Sequence, residues 1–374
     1  MILQKISITN YKNIKQEFLE FSPHINCFVG ENGQGKTNLL DAIYYLSFCK
    51  SSTNPTDTYN IRHGEDGFML QGVYKSDVDS TLKVACSLKQ GKRKILKRDG
   101  KDLRKLSEHI GSVPIVMISP SDQGFVDGGS EERRKLFDSI ISQYDVCYLE
   151  TLLRYNKTLQ QRNSLLKEEV VDWDVMDVLE EMMADDAIYI YKCRQIFTEE
   201  IAPLLTDIYS QLCNTDREKI NLRYTSHCER GSLKPQLKEW REKERIVGHT
   251  LHGIHKDELQ FELNGYPVRR EGSQGQTKTF CIAMKLAQFS LLKVKGEQRT
   301  PLLLLDDIFD KLDQGRVERI IEFVTQHNFG QIFITDTDRI RLDQILKQTD
   351  YTDCRIFVVN SGETTSCYTI GDDT

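Results

Sequence analysis

Eight consecutive residues, Gly30-Glu31-Asn32-Gly33-Gln34-Gly35-Lys36-Thr37, combine three glycines, a lysine and a hydroxyl at the spacing of a phosphate-binding loop. The glycines allow the backbone to fold back, so that successive N–H groups and the positive end of a following helix converge on phosphate oxygens. Lys36 is placed to reach the β and γ phosphates, and the Thr37 hydroxyl to ligate Mg²⁺. The chemistry implied is binding of a nucleotide's phosphates, with all eight residues around them. The competing reading is a glycine-rich turn ahead of an ordinary helix.

A second stretch fits the same chemistry. Pro301-Leu302-Leu303-Leu304-Leu305-Asp306-Asp307 is an apolar run that ends on two carboxylates. In a parallel α/β sheet the C-terminal strand edge is where ligands bind. There Asp306 would join the Mg²⁺ shell, and Asp307 would orient or partly deprotonate the attacking water. A helix-capping aspartate pair after a core strand is the alternative. Gly272-Ser273-Gln274-Gly275-Gln276, ahead of an apolar-periodic run, forms another turn with close backbone approach to an anion.

These residues need elements to hold them. Ile25 to Val29 reads as the strand before the loop and Asn38 to Phe48 as the helix after it. Upstream, residues 1–30 alternate as two further strands around the polar Asn10-Tyr11-Lys12-Asn13. Phe68 to Tyr74, Thr81 to Leu88 and Ile115 to Ile118 read as strands. From Glu131 to about Gln211 glycine is absent and the pattern becomes helical, over 133–142, 148–167 and 175–205. Strand patterns return at 219–227 and 259–263. The tail alternates strand 301–305, helix 314–327, strand 331–335, helix 338–347, then strands near 355–359 and 366–370, which implies a parallel sheet. The expected organisation is an α/β nucleotide-binding head of mixed sheets with flanking helices, in parts 1–125 and 246–374, interrupted by a helical lobe at 126–245.

Composition narrows the class. With 374 residues the chain exceeds one typical domain. No apolar run approaches bilayer length. Met1 to Ile6 alternates as a strand and lacks the features of a signal peptide, which points to a cytoplasmic protein. The ten cysteines form no C-x-x-C pair, so reduced thiols are expected. A formal charge of −6 argues against coating nucleic acid by bulk charge. Positive charge is instead concentrated in residues 89–101, a candidate hairpin with an Asp99-Gly100 turn. Its Lys92, Arg93, Lys94, Lys97 and Arg98 are candidates for DNA phosphate contact, the alternative being a solvated, salt-bridged hairpin. His249, His252 and His255 repeat every three residues, which does not bring all three to one helical face as a metal site needs.

The Gly272 to Gln276 turn, standing ahead of the paired carboxylates, resembles the signature of ABC-type ATPases. That resemblance implies a head-to-tail ATP-dependent homodimer, in which Ser273 and Gln276 of one copy act on the ATP held by the other. The loop and helix from Gly30 to Ile43 narrow the resemblance to the RecF family of bacterial DNA repair ATPases, related to the heads of SMC proteins. So do Ser119-Pro120 with Asp122, Arg133-Arg134, Gly253-Ile254-His255-Lys256-Asp257 and Gly275-Gln276, in family order from Tyr11 to about Thr335. Lys12, Lys256 and Lys278 stand where the family usually has arginine, and Ile254 replaces proline. Asp336 lies where many ABC ATPases place a histidine.

What the RecF resemblance implies is a weak DNA-dependent ATPase of an ABC/SMC-type P-loop head, with ATP and Mg²⁺ as cofactors. It would bind double-stranded DNA or single-strand/duplex junctions as a dimer. It would work in the cytoplasm at the nucleoid, with RecO- and RecR-type partners and no membrane. The ATP-binding subunit of a membrane transporter is the runner-up, and a small-molecule P-loop kinase a third reading.

Overall fold

Strands buried on both faces are built mainly from apolar residues, and four runs in this chain are buried at every position, Ile25–Val29, Ile115–Ile118, Leu302–Asp306 and Ile332–Asp336, with polar side chains entering only at Asn26, Asp306, Thr335 and Asp336. The computed structural model describes residues 1–76, 80–213, 218–296, 299–308, 314–326, 329–339, 342 and 354–369. In chain order the first elements are β1 (Ile2–Tyr11), β2 (Ile14–Glu20), β3 (Ile25–Val29), α1 (Lys36–Phe48), β4 (Gly67–Lys75), β5 (Thr81–Lys89), β6 (Ile95–Arg98), β7 (Lys101–Asp102) and β8 (Ile115–Ile118). Then come α2 (Gln123–Asp127), α3 (Ser130–Ile141), α4 (Val146–Leu165), α5 (Trp173–Cys213), β9 (Ile220–Thr225), α6 (Leu233–Val247), β10 (Glu258–Leu263), β11 (Tyr266–Pro267) and α7 (Val268–Glu271). The rest are α8 (Gln274–Lys295), β12 (Leu302–Asp306), α9 (Gln314–Gln326), β13 (Ile332–Asp336), β14 (Cys354–Asn360) and β15 (Glu363–Thr369). Most of the helix expected over 338–347 lies outside the described residues.

The chain divides into two compact units, Met1–Ser121 with Gln288–Thr374, and Asp122–Ala287. The first holds two six-stranded sheets. One is antiparallel, in the order β2-β1-β4-β5-β6-β7, and the other runs β15-β14-β3-β13-β12-β8. In the second, β3 pairs in parallel with both β14 and β13, β12 pairs in parallel with β13 and β8, and only β15 is antiparallel. The ends of β3, β12 and β13 therefore open on one edge. Residues from both sheets and from α1, among them Ile6, Tyr11, Phe28, Ile43, Leu70, Leu304 and Phe357, share a single core.

The second unit begins near the start of the helical lobe expected over 126–245 and holds more than helices. Beside α3, α4 and α5 it contains an antiparallel sheet, β11-β10-β9, in which Leu259 faces Tyr224 and Leu263 faces Ile220. Because β9 finds its partner in β10, the unit runs past 245 to Ala287. β10 and β11 are joined by Asn264 (φ 54°) and Gly265 (φ 83°), the chemistry of a type I′ hairpin. Two arginines sit inside this unit with no exposed surface to speak of. Arg162 pairs with Glu180 at 2.9 Å and Glu244 at 2.6 Å, and Arg194 with Asp257 at 2.7 Å and Asp138 at 2.9 Å.

Candidate nucleotide site and its surroundings

At the end of β3 the chain enters the glycine loop. Gly35 has φ 108°, and a Cβ there would lie 2.6 Å from the Asn13 amide nitrogen. A Cβ on Gly30 would lie 2.4 Å from the Val359 carbonyl oxygen. Both positions thus require glycine, one for its backbone angle and both for space. The Lys36 ammonium is held within the loop, donating to the carbonyls of Gly30 at 2.6 Å and Glu31 at 2.9 Å. Burial lowers its proton affinity, against the pull of Asp307, Asp306 and Asp336.

The two halves of the expected site meet. Thr37 Oγ1 donates to Asp306 Oδ1 at 2.9 Å, and Thr335 Oγ1 donates to the same oxygen at 2.8 Å. Burial raises the Asp306 carboxyl above its ordinary range, Asp307 adds to the rise, and the two threonine hydroxyls and Lys36 oppose it. A desolvated carboxylate beside a hydroxyl is a hard-oxygen pair suited to Mg²⁺, and these two residues would hold that ion. Asp307 follows with φ 49°, unusual for a residue with a side chain, and its N–H donates to Thr335 Oγ1 at 2.9 Å. The backbone is therefore turned sharply where the second carboxylate is presented. Asp336, fully buried at the end of β13, accepts the Asp338 N–H at 2.9 Å.

Sequence reasoning missed the residues that brace this loop. Gly362 N–H donates to the Gln34 carbonyl at 2.7 Å, and Ser361 N–H to Gln34 Oε1 at 2.7 Å. On the other flank Asn13 donates to the Gln34 carbonyl at 3.3 Å and accepts from Asn38 Nδ2 at 2.7 Å. Ser361 and Gly362, at φ 53° and 83°, form the β14–β15 turn, and their spacing between two strand patterns was the available signal. Behind α1, Asp41 is fully buried. It pairs with Lys12 and accepts from Tyr11 OH at 2.7 Å, Ser51 Oγ at 2.7 Å and Ser52 N at 2.6 Å. Burial alone would raise this carboxyl. Lys12 and the hydroxyls more than offset it, and Asp41 stays below the ordinary range.

In the second unit, Ser273 is exposed at the start of α8. Its N–H donates to Gln276 Oε1 at 2.8 Å and its Oγ accepts the Gln276 N–H at 3.2 Å, a reciprocal cap of the kind expected for Ser-x-x-Gln. Gln276 Nε2 donates to Glu218 at 2.8 Å. Both ends of the Gln276 amide are thus engaged within its own unit. Ser273 remains presented to solvent.

The basic segment divides between inward-facing and exposed side chains. Lys94 points inward, with 11% of its side chain exposed, and donates to Asp57 at 2.6 Å, to Tyr45 OH at 3.1 Å and to the Cys49 carbonyl. It stabilises the β5–β6 turn from below and is not presented to a phosphate. Arg98 reaches Ser112 Oγ at 3.1 Å, and Lys97 pairs with Asp102 at 3.4 Å with half of its side chain exposed. Lys92 is exposed, and Arg93 donates to the Arg104 carbonyl at 3.3 Å. Asp99 (φ 49°) and Gly100 (φ 80°) make the expected turn between β6 and β7.

Among the described residues no His, Cys, Asp and Glu group is arranged to hold a metal ion. His252 lies with its ring 4.7 Å from His227 and 4.3 Å from Trp240, while His255 bonds Tyr155 OH at 2.9 Å and the Thr250 carbonyl at 3.2 Å. None of the ten cysteines forms a disulfide. Five are buried, and Cys147 and Cys367 are exposed, so the interior placement expected for them holds in part.

A glycine loop closing on a helix, with an acidic parallel strand delivered beside its threonine, defines a P-loop head of the ABC/SMC type. The model of the RecF/RecN/SMC N-terminal domain matches residues 2–353. The chain is 52% identical to the DNA replication and repair protein RecF of Phocaeicola vulgatus, over 98% of each chain, and 51% identical to that of Bacteroides thetaiotaomicron, over 97% and 98%. The structure is similar to a recombination mediator protein RecF solved with ATP, with TM-score 0.87, 29% identity and 99% and 98% of the two chains covered. It shares its fold with an Smc head bound to the C-terminal winged-helix domain of ScpA, with TM-score 0.59, 15% identity and 99% coverage of both. This chain belongs to the RecF family of DNA replication and repair proteins. Among the described residues no helix is long and apolar enough to cross a membrane.

Proposed function

We propose that this chain is an ATP-dependent DNA-binding ATPase of recombinational repair and replication. The observation that carries the reading is the hydrogen bond from Thr37 to Asp306, which brings a phosphate loop and an acidic strand edge from opposite ends of the sequence to one point. In this reading the backbone of Gly30 to Gly35 cradles the triphosphate and Lys36 binds its β and γ phosphates. Thr37 and Asp306 would hold Mg²⁺, which would supply neutralisation of the negative charge on the β and γ phosphates. Asp307 orients the water that attacks the γ phosphorus and accepts its proton. Ser273, exposed and capped in a turn of backbone N–H groups, covers the triphosphate of a second copy. ATP then favours the dimer because it adds contacts that only the dimer makes.

DNA enters as the ligand of that dimer. An acidic chain binds a polyanion only through local positive surface, and Lys92, Arg93, Lys97 and Arg98 provide one such surface. The similar RecF solved with ATP is described as a recombination mediator in the RecFOR pathway, which supports RecO- and RecR-type partners; action in the cytoplasm at the nucleoid belongs to the same reading. The transporter reading is not favoured by relatives that match nearly end to end as repair proteins. Turnover of ATP by the purified chain, with and without duplex or junction DNA, tests the reading. Stimulation by DNA is expected, and no stimulation by any DNA structure would overturn it.

A further inference from the structure

In the second unit, α3, α4, α5 and the turn Ile254–Lys256 line a cleft of about 390 Å³. Its floor is a closed ion network. Arg194 donates to Asp138 at 2.9 Å, to Asp257 at 2.7 Å and to the Ile254 carbonyl at 2.8 Å. Tyr148 OH and Tyr224 OH donate to the same two carboxylates at 2.5 Å. At the rim, Glu131 is engaged by Lys135 at 3.0 Å. His255 is neutral, since burial lowers its pKa to about 3 and both ring nitrogens have partners.

After these pairings two cations in the cleft have no carboxylate partner within salt-bridge distance among the described residues. Arg134 gives one hydrogen bond, to the Asp257 carbonyl at 2.7 Å, and the rest of its guanidinium fork is unspent. Lys256 is exposed and makes no side-chain hydrogen bond or ion pair among the described residues, and neither does the exposed Asn156 amide. A half-buried guanidinium next to a second arginine is destabilised by desolvation and by like charge, and an oxyanion relieves both. The fork of an arginine matches two oxygens of one phosphate, and an ammonium supplies a further point charge. The flanking carboxylates of Glu131 and Asp138 disfavour a dianion and leave a singly charged phosphodiester as the better guest.

We propose that Arg134, Lys256 and Asn156 form a seat for one backbone phosphodiester of nucleic acid, in a unit separate from the basic β5–β7 segment. The inference rests on the reading of this chain as a DNA-binding protein. It places one defined contact on the helical unit.

The test is duplex-DNA binding by the full chain with ATP, followed by fluorescence anisotropy across a salt series. The variants are Lys256→Ala, Lys256→Glu, Arg134→Gln and, as a control on the exposed face of α4, Lys157→Ala. Lys256→Ala should reduce the slope of log affinity against log salt by about one, and Lys256→Glu should weaken binding by at least about tenfold. Arg134→Gln should weaken it similarly, and Lys157→Ala should leave it as in the wild type. The Lys256 side chain makes no hydrogen bond or ion pair among the described residues, so an unchanged thermal midpoint in its variants separates lost binding from lost structure. If the wild type binds duplex and both Lys256 variants bind it with the same affinity and slope, the seat is wrong while the DNA reading stands. A wild type that fails to bind DNA at low salt overturns both. Calorimetry with inorganic phosphate covers the other source of the same chemistry: phosphate binding that Lys256→Glu abolishes, with duplex affinity untouched, would make the cleft a free-anion site and contradict the proposal.

Discussion

Thr37 Oγ1 lies 2.9 Å from Asp306 Oδ1, although 269 residues separate the two in sequence. Everything the nucleotide site can do depends on that approach, because the loop supplies cations and N–H groups while the strand supplies the carboxylates. The parallel pairing of β3 with β13, and of β13 with β12, enforces it: Thr335 sits opposite Asp306 and opposite Phe28 in the two ladders.

Lys36→Met should abolish ATP binding or lower it by more than about a hundredfold, since a charge-assisted contact to two phosphates is removed from a desolvated loop. Equilibrium dialysis or calorimetry with ATP checks this. Wild-type affinity in the variant would place the nucleotide elsewhere.

Ser273→Arg should block ATP-dependent dimerisation and leave nucleotide binding by each copy intact. Ser273 is exposed, and in the proposed dimer added bulk and charge there would meet a partner's triphosphate. Light scattering for mass and calorimetry for ATP separate the two effects. A variant that dimerises normally would remove Ser273 from the interface.

Arg162→Ala should destabilise the second unit by about 3 to 5 kcal/mol, because Glu180 and Glu244, both fully buried, lose a shared cation. Arg241 continues to engage Glu180 and moderates the loss. Urea unfolding followed by circular dichroism measures it. A cost below about 1 kcal/mol would mean that the carboxylates find water or each other on unpairing.

The acid limb of stability should carry a share from His255. Its folded pKa is about 3 against an ordinary 6.5, so the folded chain binds fewer protons than the unfolded one between these values. The contribution is present above pH 6.5 and lost progressively as pH falls toward about 3. The stability gap between wild type and His255→Gln should therefore close by up to about 1.4 kcal/mol per pH unit below 6.5. A gap that stays constant from pH 7 to about 4 would show that the ring is protonated in the fold.

Sequence patterns revealed the parts whose physics is local. A glycine loop, an all-apolar strand ending in carboxylates, and the Asp99-Gly100 turn each declare their backbone within a few residues. What escaped was set by distant partners. Nothing near Gln34 announces that Gly362 and Asn13 will fix its carbonyl, and nothing near Lys94 announces that Asp57 and Tyr45 will draw it inward. Gln276 stands beside Gly275, and its spacing from Ser273 also meets the rule for a helix cap. The strands β9 and β10 were each legible, but their pairing with one another, and so the extent of the second unit, came from a contact across some forty residues.

The most direct test is the solution mass of Asp307→Asn, with and without ATP. If Asp307 serves the attacking water and ATP is shared between two copies, the variant binds nucleotide, fails to cleave it, and accumulates as a dimer of twice the 43.3 kDa chain mass. An Asp307→Asn protein that is saturated with ATP and still weighs one chain would contradict the account.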